Sequence, residues 1–377
     1  MNVTDEAVFQ GFQHFLVMLG TTVLIPTILV PQMGGGNYEK AQVIQTLLFV
    51  AGLNTLLQSF FGTRLPVVIG GSYTYILPTV SIIFAHRYSY IIEPEEVVIL
   101  IYLPSSFFIK FLSPLSAVPL VTLTGLGLYS LGFPGVAKCI EIGLPELILM
   151  IIFTQYVRHI GERRGIGNRY AVVFSIAVVW LYAHILTIAG AYRHRPVQTQ
   201  YHCQTDRAGL IYSSPWIRVP YPFQWGPPTF NAGEVFAMMA ASFAALIEST
   251  GTFIAASRYS CCTHMPPSIC GRGVSWLGVG LLLDGMFGTA NGSAASVENA
   301  GLLGMTRIAS RRVIQISAGF MLFFAVLGKF GALFASIPLP IFAALYCILF
   351  AYVGKCCFNH HLYQMHSSGS HSIFEFG

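Results

Sequence analysis

Long apolar runs separated by short polar breaks organise this chain. Candidate spans lie at 8–30, 41–62, 66–85, 114–137, 144–157, 170–191, 234–256, 273–290, 293–305, 313–327 and 330–353. Segments 8–30, 41–62, 170–191 and 330–353 contain no Asp, Glu, Lys or Arg. Each is long enough for a hydrocarbon core that needs about 20 residues. Backbone groups in lipid must pair within their own segment, so these runs predict helices. Period-2 alternation is absent, which argues against an outer-membrane barrel.

Two runs have a different texture. In 66–85, Pro66, Gly70, Gly71 and Pro78 interrupt the apolar pattern (PVVIGGSYTYILP). In 285–306, Gly285, Gly288, Gly292, Gly301 and Gly304 do the same (GMFGTANGSAASVENAGLLGMT). Glycine also serves close helix packing in membranes. Here small polar and strand-prone residues precede a short apolar stretch in both runs. That is the pattern of discontinuous helices in secondary transporters, where the substrate sits at the break.

Composition agrees with the runs. Of 377 residues, 54% are hydrophobic and only 9% charged, against about 25% charged in a soluble domain. Mean hydropathy is +0.66. The net charge of +5 comes from short basic clusters between spans, which is a topology signal and not a nucleic-acid signal. Clusters at Arg158/Arg163/Arg164/Arg169, Arg258/Arg272 and Arg307/Arg311/Arg312 should all be cytoplasmic. Arg193, Arg195, Arg207 and Arg218 oppose this from a loop at 192–231, but long loops follow the rule poorly. That loop carries Trp216, Trp225 and several prolines, as an aqueous loop with an aromatic margin would.

The eight cysteines form no CxxC pair, so zinc-ribbon and thioredoxin readings fail. Cys261, Cys262 and His264, and Cys356, Cys357, His360 and His361, lack partner pairs at ligand spacing, and no metal or other cofactor is expected. The first residues have no basic region or cleavage site of a signal peptide. HExxH, nucleophile-elbow and P-loop motifs are absent, so a membrane enzyme is disfavoured.

Acids inside apolar runs are the candidate chemistry. Glu248 lies deep in AMMAASFAALIESTGTFIAAS, and Glu298 sits at the second break beside Asn299. A carboxylate at the bilayer centre costs a few kcal/mol on insertion scales, so each should face a cavity, a partner or a proton. A half-helix starting near Glu298 would aim its N-terminal amides at the site. The expected mechanism is hydrogen bonding of a planar heterocycle by Glu248 and Glu298, with a proton carried by one of them. The competing reading is interhelical packing. Gln13 and His14 in the first span read equally as site support or as interhelical donors. Asp284 reads as a cap before the break or as a titrating acid. Tyr73 and Tyr75 flank the first break, and Tyr73 could stack on a flat ligand.

The stretch from Glu298 to Arg307 (ENAGLLGMTR) resembles the signature of the nucleobase–ascorbate transporter family. In that signature Gln, Glu or Pro precedes Asn, and Gly, Thr and a final Arg, Lys or Gly follow at fixed spacing. Gln13-His14 resembles the family's first-helix pair, Gly71–Tyr75 its third-segment break and Glu248 its eighth-helix acid. FLSPLSAVPLVTLTGLGLYSLGFPGVA and the long loop are similar to the plant branch. The resemblance extends to about residue 354.

The resemblance implies an all-α polytopic membrane protein with an inverted-repeat (7+7) core-and-gate transporter fold and short strands in its two broken helices. Core parts would be 1–112 and 232–328, gate parts 113–191 and 329–354, with the extracellular loop at 192–231. It also implies a proton-coupled symporter of nucleobases such as xanthine or uric acid, at the plasma membrane, as a homodimer in lipid. By carry-over Glu248 and Glu298 hold the base, Ser72 and Tyr73 line it, and the Val297 backbone contributes. Ser296 stands where some relatives stack an aromatic, and Thr252 where some have His or Asp. Gln13, His14, Asn299, Asp284, Thr306 and Arg307 would support the site.

Two departures accompany the match. The fourth helix is expected to be degenerate: its apolar part, 97–109, is short and carries Pro104. Two gate helices are expected after residue 354, where instead a polar tail (355–377) follows. A transport-inactive isoform that binds or modulates a full-length permease is therefore the alternative function. An anion exchanger or channel on the same plan is a third, disfavoured because Glu298 occupies the break.

Overall fold

The computed structural model describes residues 3–84, 132–157, 166–205, 212, 214–226, 232–260 and 265–353. The expected degenerate fourth helix, most of span 114–137 and the tail lie outside these residues. The described chain is helical with one small sheet. The helices are α1 (Val3–Gln32), α2 (Asn37–Phe60), α3 (Ile76–Ile83), α4 (Phe133–Ala137), α5 (Ile140–Ile151), α6 (Ile166–Ile188), α7 (Val197–Cys203), α8 (Ala232–Tyr259), α9 (Pro267–Phe287), α10 (Val297–Thr306), α11 (Arg311–Val326), α12 (Gly328–Ala335) and α13 (Leu339–Val353). Two strands, β1 (Ile69–Gly71) and β2 (Ser293–Ala295), precede α3 and α10.

Among the described residues, four helices are long and apolar enough to cross a membrane: Asp5–Gln32, Asn37–Phe60, Arg169–Ile188 and Ala232–Tyr259. These are the expected spans 8–30, 41–62, 170–191 and 234–256. The expected single span 330–353 is instead two helices, because Ser336–Pro338 interrupts it. Pro338 has no N–H to continue α12, and its fixed φ suits the entry to α13. Span 144–157 is α5 continued by a π-helical turn at Ile152–Tyr156.

The broken runs explain the sheet. β1 and β2 pair antiparallel, with Ile69 opposite Ala295, Gly70 opposite Ala294 and Gly71 opposite Ser293. Interrupting two helices frees backbone groups that lipid cannot satisfy, and pairing the two interruptions with each other satisfies them. The ladder is extended by Ser296 N donating to Val68 O (2.9 Å) and Ser72 N donating to Gly292 O (3.0 Å). Close approach requires small residues here: a Cβ on Gly70 would overlap the Met18 side chain of α1.

The largest apolar cluster joins α1, α2, α6, α11 and α13 through residues such as Phe15, Leu48, Val172, Met321 and Leu345. A second cluster, with Ile69, Phe253, Leu277 and Ala295, packs α8 and α9 against the sheet. Along α6, by contrast, Phe174, Val178, Leu181 and Ile185 are exposed, as a lipid-facing stripe would be.

Connectivity sorts the polar ends. α8 runs from the 192–231 loop to Arg258, α9 returns from Arg272 to the loop, α10 ends at Arg307, and α11 returns again. The loop meets α9 and α11 at their C-terminal ends, where Phe223 N donates to Met286 O and Arg218 N to Val326 O. Among the described residues, Arg258, Arg272, Arg307, Arg311 and Arg312 therefore lie toward the end away from the loop. Arg169 starts α6 at that same end, pairs with Glu6 and accepts from Gln10 and Gln13 through its carbonyl.

Cysteine pairing was not expected, yet Cys139 and Cys203 form a disulfide across 64 residues. It ties the start of α5 to the end of α7. Spacing alone could not reveal it, since the partners become neighbours only when α5 and α6 stand side by side.

Candidate functional site

Each strand is followed by a serine that starts a half-helix. After β1, Ser72 accepts from Thr74 N (3.3 Å) and opens the 3-10 turn Tyr73–Tyr75 and α3. After β2, Ser296 accepts from Asn299 N (3.3 Å) and opens α10. The serine oxygens thus take orphan N–H groups of the new helices.

Each of these serines also meets an acid. Ser72 Oγ donates to Glu248 Oε2 at 2.8 Å, and Ser296 Oγ donates to Glu298 Oε2 at 2.8 Å. Glu248 is half-buried on α8, while Glu298 is 5% exposed in the first turn of α10. Glu298 therefore has the favourable end of a helix dipole beside it. The strand crossing brings together two carboxylates, two serine hydroxyls and two half-helix N-termini.

The neighbours hold these groups in place. Thr252 Oγ1 donates to Glu248 O (2.9 Å) and reaches Ala295 O (3.4 Å), linking α8 to β2. Ala295 N donates to Ser249 Oγ (3.0 Å) on the same helix. Asn299 accepts from His14 Nδ1 (2.9 Å) and its Nδ2 donates to Ser296 Oγ (2.9 Å). Because an amide oxygen only accepts, His14 is in the tautomer that carries its proton on Nδ1. A relay thus runs from His14 through Asn299 and Ser296 to Glu298. Gln13 is fully buried but reaches the Arg169 carbonyl (2.6 Å), not the acids.

Asp284 is buried and receives Ser293 N at 2.9 Å, so it fixes the start of β2. Tyr73 lies within electrostatic reach of both Glu298 and Glu248, with Tyr346 of α13 as its neighbour. Tyr75 points elsewhere, into a cluster with Met238 and Ala245. Val297 is the first residue of α10, where a backbone N–H has no partner within the helix itself. Thr306 and Arg307 are not brought to the crossing: Thr306 bonds Leu302 O, and the exposed Arg307 closes α10 with a positive φ of 56°.

Sequence reading missed Ser249, Asn291, Thr55 and Tyr346. Thr55 Oγ1 bonds both the N–H and the carbonyl of Ile69 (3.0 and 3.2 Å), and Asn291 Nδ2 donates to Ser72 O (3.1 Å). Polar residues inside apolar spans were the available signal. Among the described residues no group of three or more His, Cys, Asp or Glu could hold a metal ion.

The permease family model, Xan_ur_permease, matches residues 5–361. Nucleobase-ascorbate transporter 7 of Arabidopsis thaliana is 63% identical over 371 residues, covering 93% of this chain and 69% of that protein. Nucleobase-ascorbate transporter LPE1 of Zea mays is 58% identical over 373 residues, covering 93% and 71%. Among solved structures, the transmembrane domain of the cyanobacterium bicarbonate transporter BicA aligns with 95% of this chain and 98% of its own, at 14% identity and a TM-score of 0.44. At that level the fold rests on the chain's own geometry. Over nine-tenths of its length this integral membrane protein belongs to the permease family, among the plant nucleobase-ascorbate transporters.

Proposed function

We propose that the chain is a proton-coupled symporter of nucleobases, with xanthine or uric acid as the substrate class and the plasma membrane as its site. The observation that carries this reading is the pair of serine-bonded acids, Glu248 and Glu298, set at the crossing of two broken helices. Heterocyclic N–H groups need carboxylate acceptors, and ring carbonyls need donors such as the first N–H groups of α10. A flat ring also suits the face of Tyr73. An acid held away from water can take up a proton together with its ligand, which couples transport to a proton gradient. The names of the plant relatives favour the same substrate class. The two broken halves are read as corresponding parts of a 7+7 inverted repeat, whose core would move against a gate including α5, α6 and α13.

The test is uptake of xanthine and uric acid in a permease-deficient cell at several external pH values. Glu248→Gln and Glu298→Gln serve as site controls. Saturable uptake that rises with the inward proton gradient and is lost in both variants is expected. Uptake that ignores both substitutions would refute the site.

A further inference from the structure

The segment Trp216–Trp225 lies across the loop-side ends of α2, α9, α11 and α12. At its first end it pairs with the link between α11 and α12: Arg218 N donates to Val326 O (3.0 Å) and Gly328 N donates to Trp216 O (3.1 Å). In its middle, the Arg218 guanidinium donates to Gln42 O (3.0 Å) and Gln224 Oε1 (2.5 Å). Burial pulls the pKa of this guanidinium down, and these two acceptors hold its charge. Gln224 then spends its amide protons on Thr46 Oγ1 (3.0 Å) and Phe287 O (2.7 Å). At the far end Phe223 N donates to Met286 O (2.7 Å), and Trp225 Nε1 donates to Gly288 O (3.0 Å).

Gly288 begins the turn that leads to β2. Its φ is +65°, and a Cβ there would overlap the Trp225 indole, so backbone and ring are fitted to each other. Inside the turn, Thr289 Oγ1 donates to Asn291 O (2.6 Å). Asn291 Nδ2 donates to Ser72 O (3.1 Å) and Gly292 O (3.0 Å), while Ser72 N donates to Gly292 O. The Ser72 backbone is thereby held through both its N–H and its carbonyl by the turn. Its hydroxyl in turn holds Glu248. Thr289, Asn291 and Ser72 are buried, so water does not substitute freely for these bonds.

We propose that Trp216–Trp225 is an outer strap that positions Ser72, and through it Glu248, by clamping the Gly288–Asn291 turn. Trp225, Gln224 and Asn291 are then positioning residues of the substrate site. Substrate affinity is set partly from the loop side, by residues that never touch the ligand. The binding half of this inference rests on the nucleobase reading; the structural half does not.

The test uses the full chain in membranes and Trp225→Phe, which removes one N–H donor and keeps an aromatic ring. Hydrogen exchange in residues 69–74, remote from the substitution, should quicken by about two- to tenfold, the range that loss of one net hydrogen bond gives. Radiolabelled xanthine should bind about fivefold more weakly to Trp225→Phe than to the native chain. In a Ser72→Ala background the same substitution should cost less than twofold, because the path to Glu248 is already cut. A purely structural role would weaken binding equally in both backgrounds. Gln224→Met, which removes the donors to Thr46 and Phe287 and the acceptor for Arg218, is the second variant and should give the same pattern. Unchanged exchange at 69–74 in both variants, or equal losses with and without Ser72, overturns the strap. A native chain that binds no xanthine while exchange at 69–74 still responds sinks the nucleobase reading and upholds the strap.

Discussion

Replacing Glu248 by Gln keeps the side chain's shape and leaves an oxygen that can still accept from Ser72 Oγ, now 2.8 Å away. What disappears is the charge and one acceptor oxygen. A bound heterocycle that donates an N–H to Glu248 loses a hydrogen bond to an ionised group, worth about 1.5–3 kcal/mol net. At 1.4 kcal/mol per decade that is a drop of about 10- to 150-fold in affinity. The amide's NH2 now points where the carboxylate accepted, and facing it to a ligand N–H adds repulsion, so the upper part of the range is expected. Equilibrium binding of radiolabelled xanthine to membranes, normalised to protein amount, reads this directly. Glu248 is half-buried, and Gln carries no charge to bury, so folding should survive. Thermal denaturation in detergent checks that. A Glu248→Gln chain that folds normally and binds xanthine within twofold of the native chain would refute the assignment of Glu248 as a ligand acceptor.

Further outcomes follow from the same geometry. His14→Ala removes the donor to Asn299 Oδ1 and should weaken xanthine binding about three- to tenfold through the relay to Glu298, while His14→Gln, which can still donate, should restore part of it. Gly301→Val puts side-chain atoms into the Leu349 carbonyl of α13; overpacking of this kind costs about 1–3 kcal/mol, measurable as an earlier melting transition. The double variant Cys139→Ser/Cys203→Ser releases a 64-residue closure. Chain entropy caps its stabilisation at about 4 kcal/mol, and insertion of α6 already restricts the open chain, so a smaller loss of melting temperature is expected, matched by reductant on the native protein. Gly70→Leu forces the buried Met18 thioether end to move, an overpacking cost of about 1–3 kcal/mol, read as an earlier melting transition in detergent.

The elements legible in sequence are those specified by their own composition. α1, α2, α6 and α8 declare themselves as uninterrupted apolar runs, and Glu248 and Glu298 stand out because lipid makes a carboxylate costly. The two breaks were visible in their glycines and serines, but their pairing as one antiparallel ladder is a long-range contact with no local trace. The same holds for the Cys139–Cys203 bond and for Asn291, whose partners lie 64 and 219 residues away. Thr306 and Arg307 are the opposite case. They share a motif with Glu298, yet α10 carries them to its far end, where Thr306 bonds back to Leu302 O and Arg307 caps the helix. Pro338 is a local signal for the split of 330–353 at Ser336–Pro338, set inside an otherwise apolar run.

The cystine between α5 and α7 records the history of insertion as well as holding the fold. Thiols oxidise in the secretory lumen and outside the cell, and are kept reduced in the cytosol. Cys139 precedes α5 and Cys203 follows α6, so the bond can close only when this helical pair has been threaded with both of its outer ends delivered to the oxidising side. A chain threaded upside down, or with one crossing skipped, strands its two sulfurs in the wrong compartment or in different ones. The ratio of oxidised to reduced protein on a non-reducing gel thus counts correctly threaded molecules, without any tag.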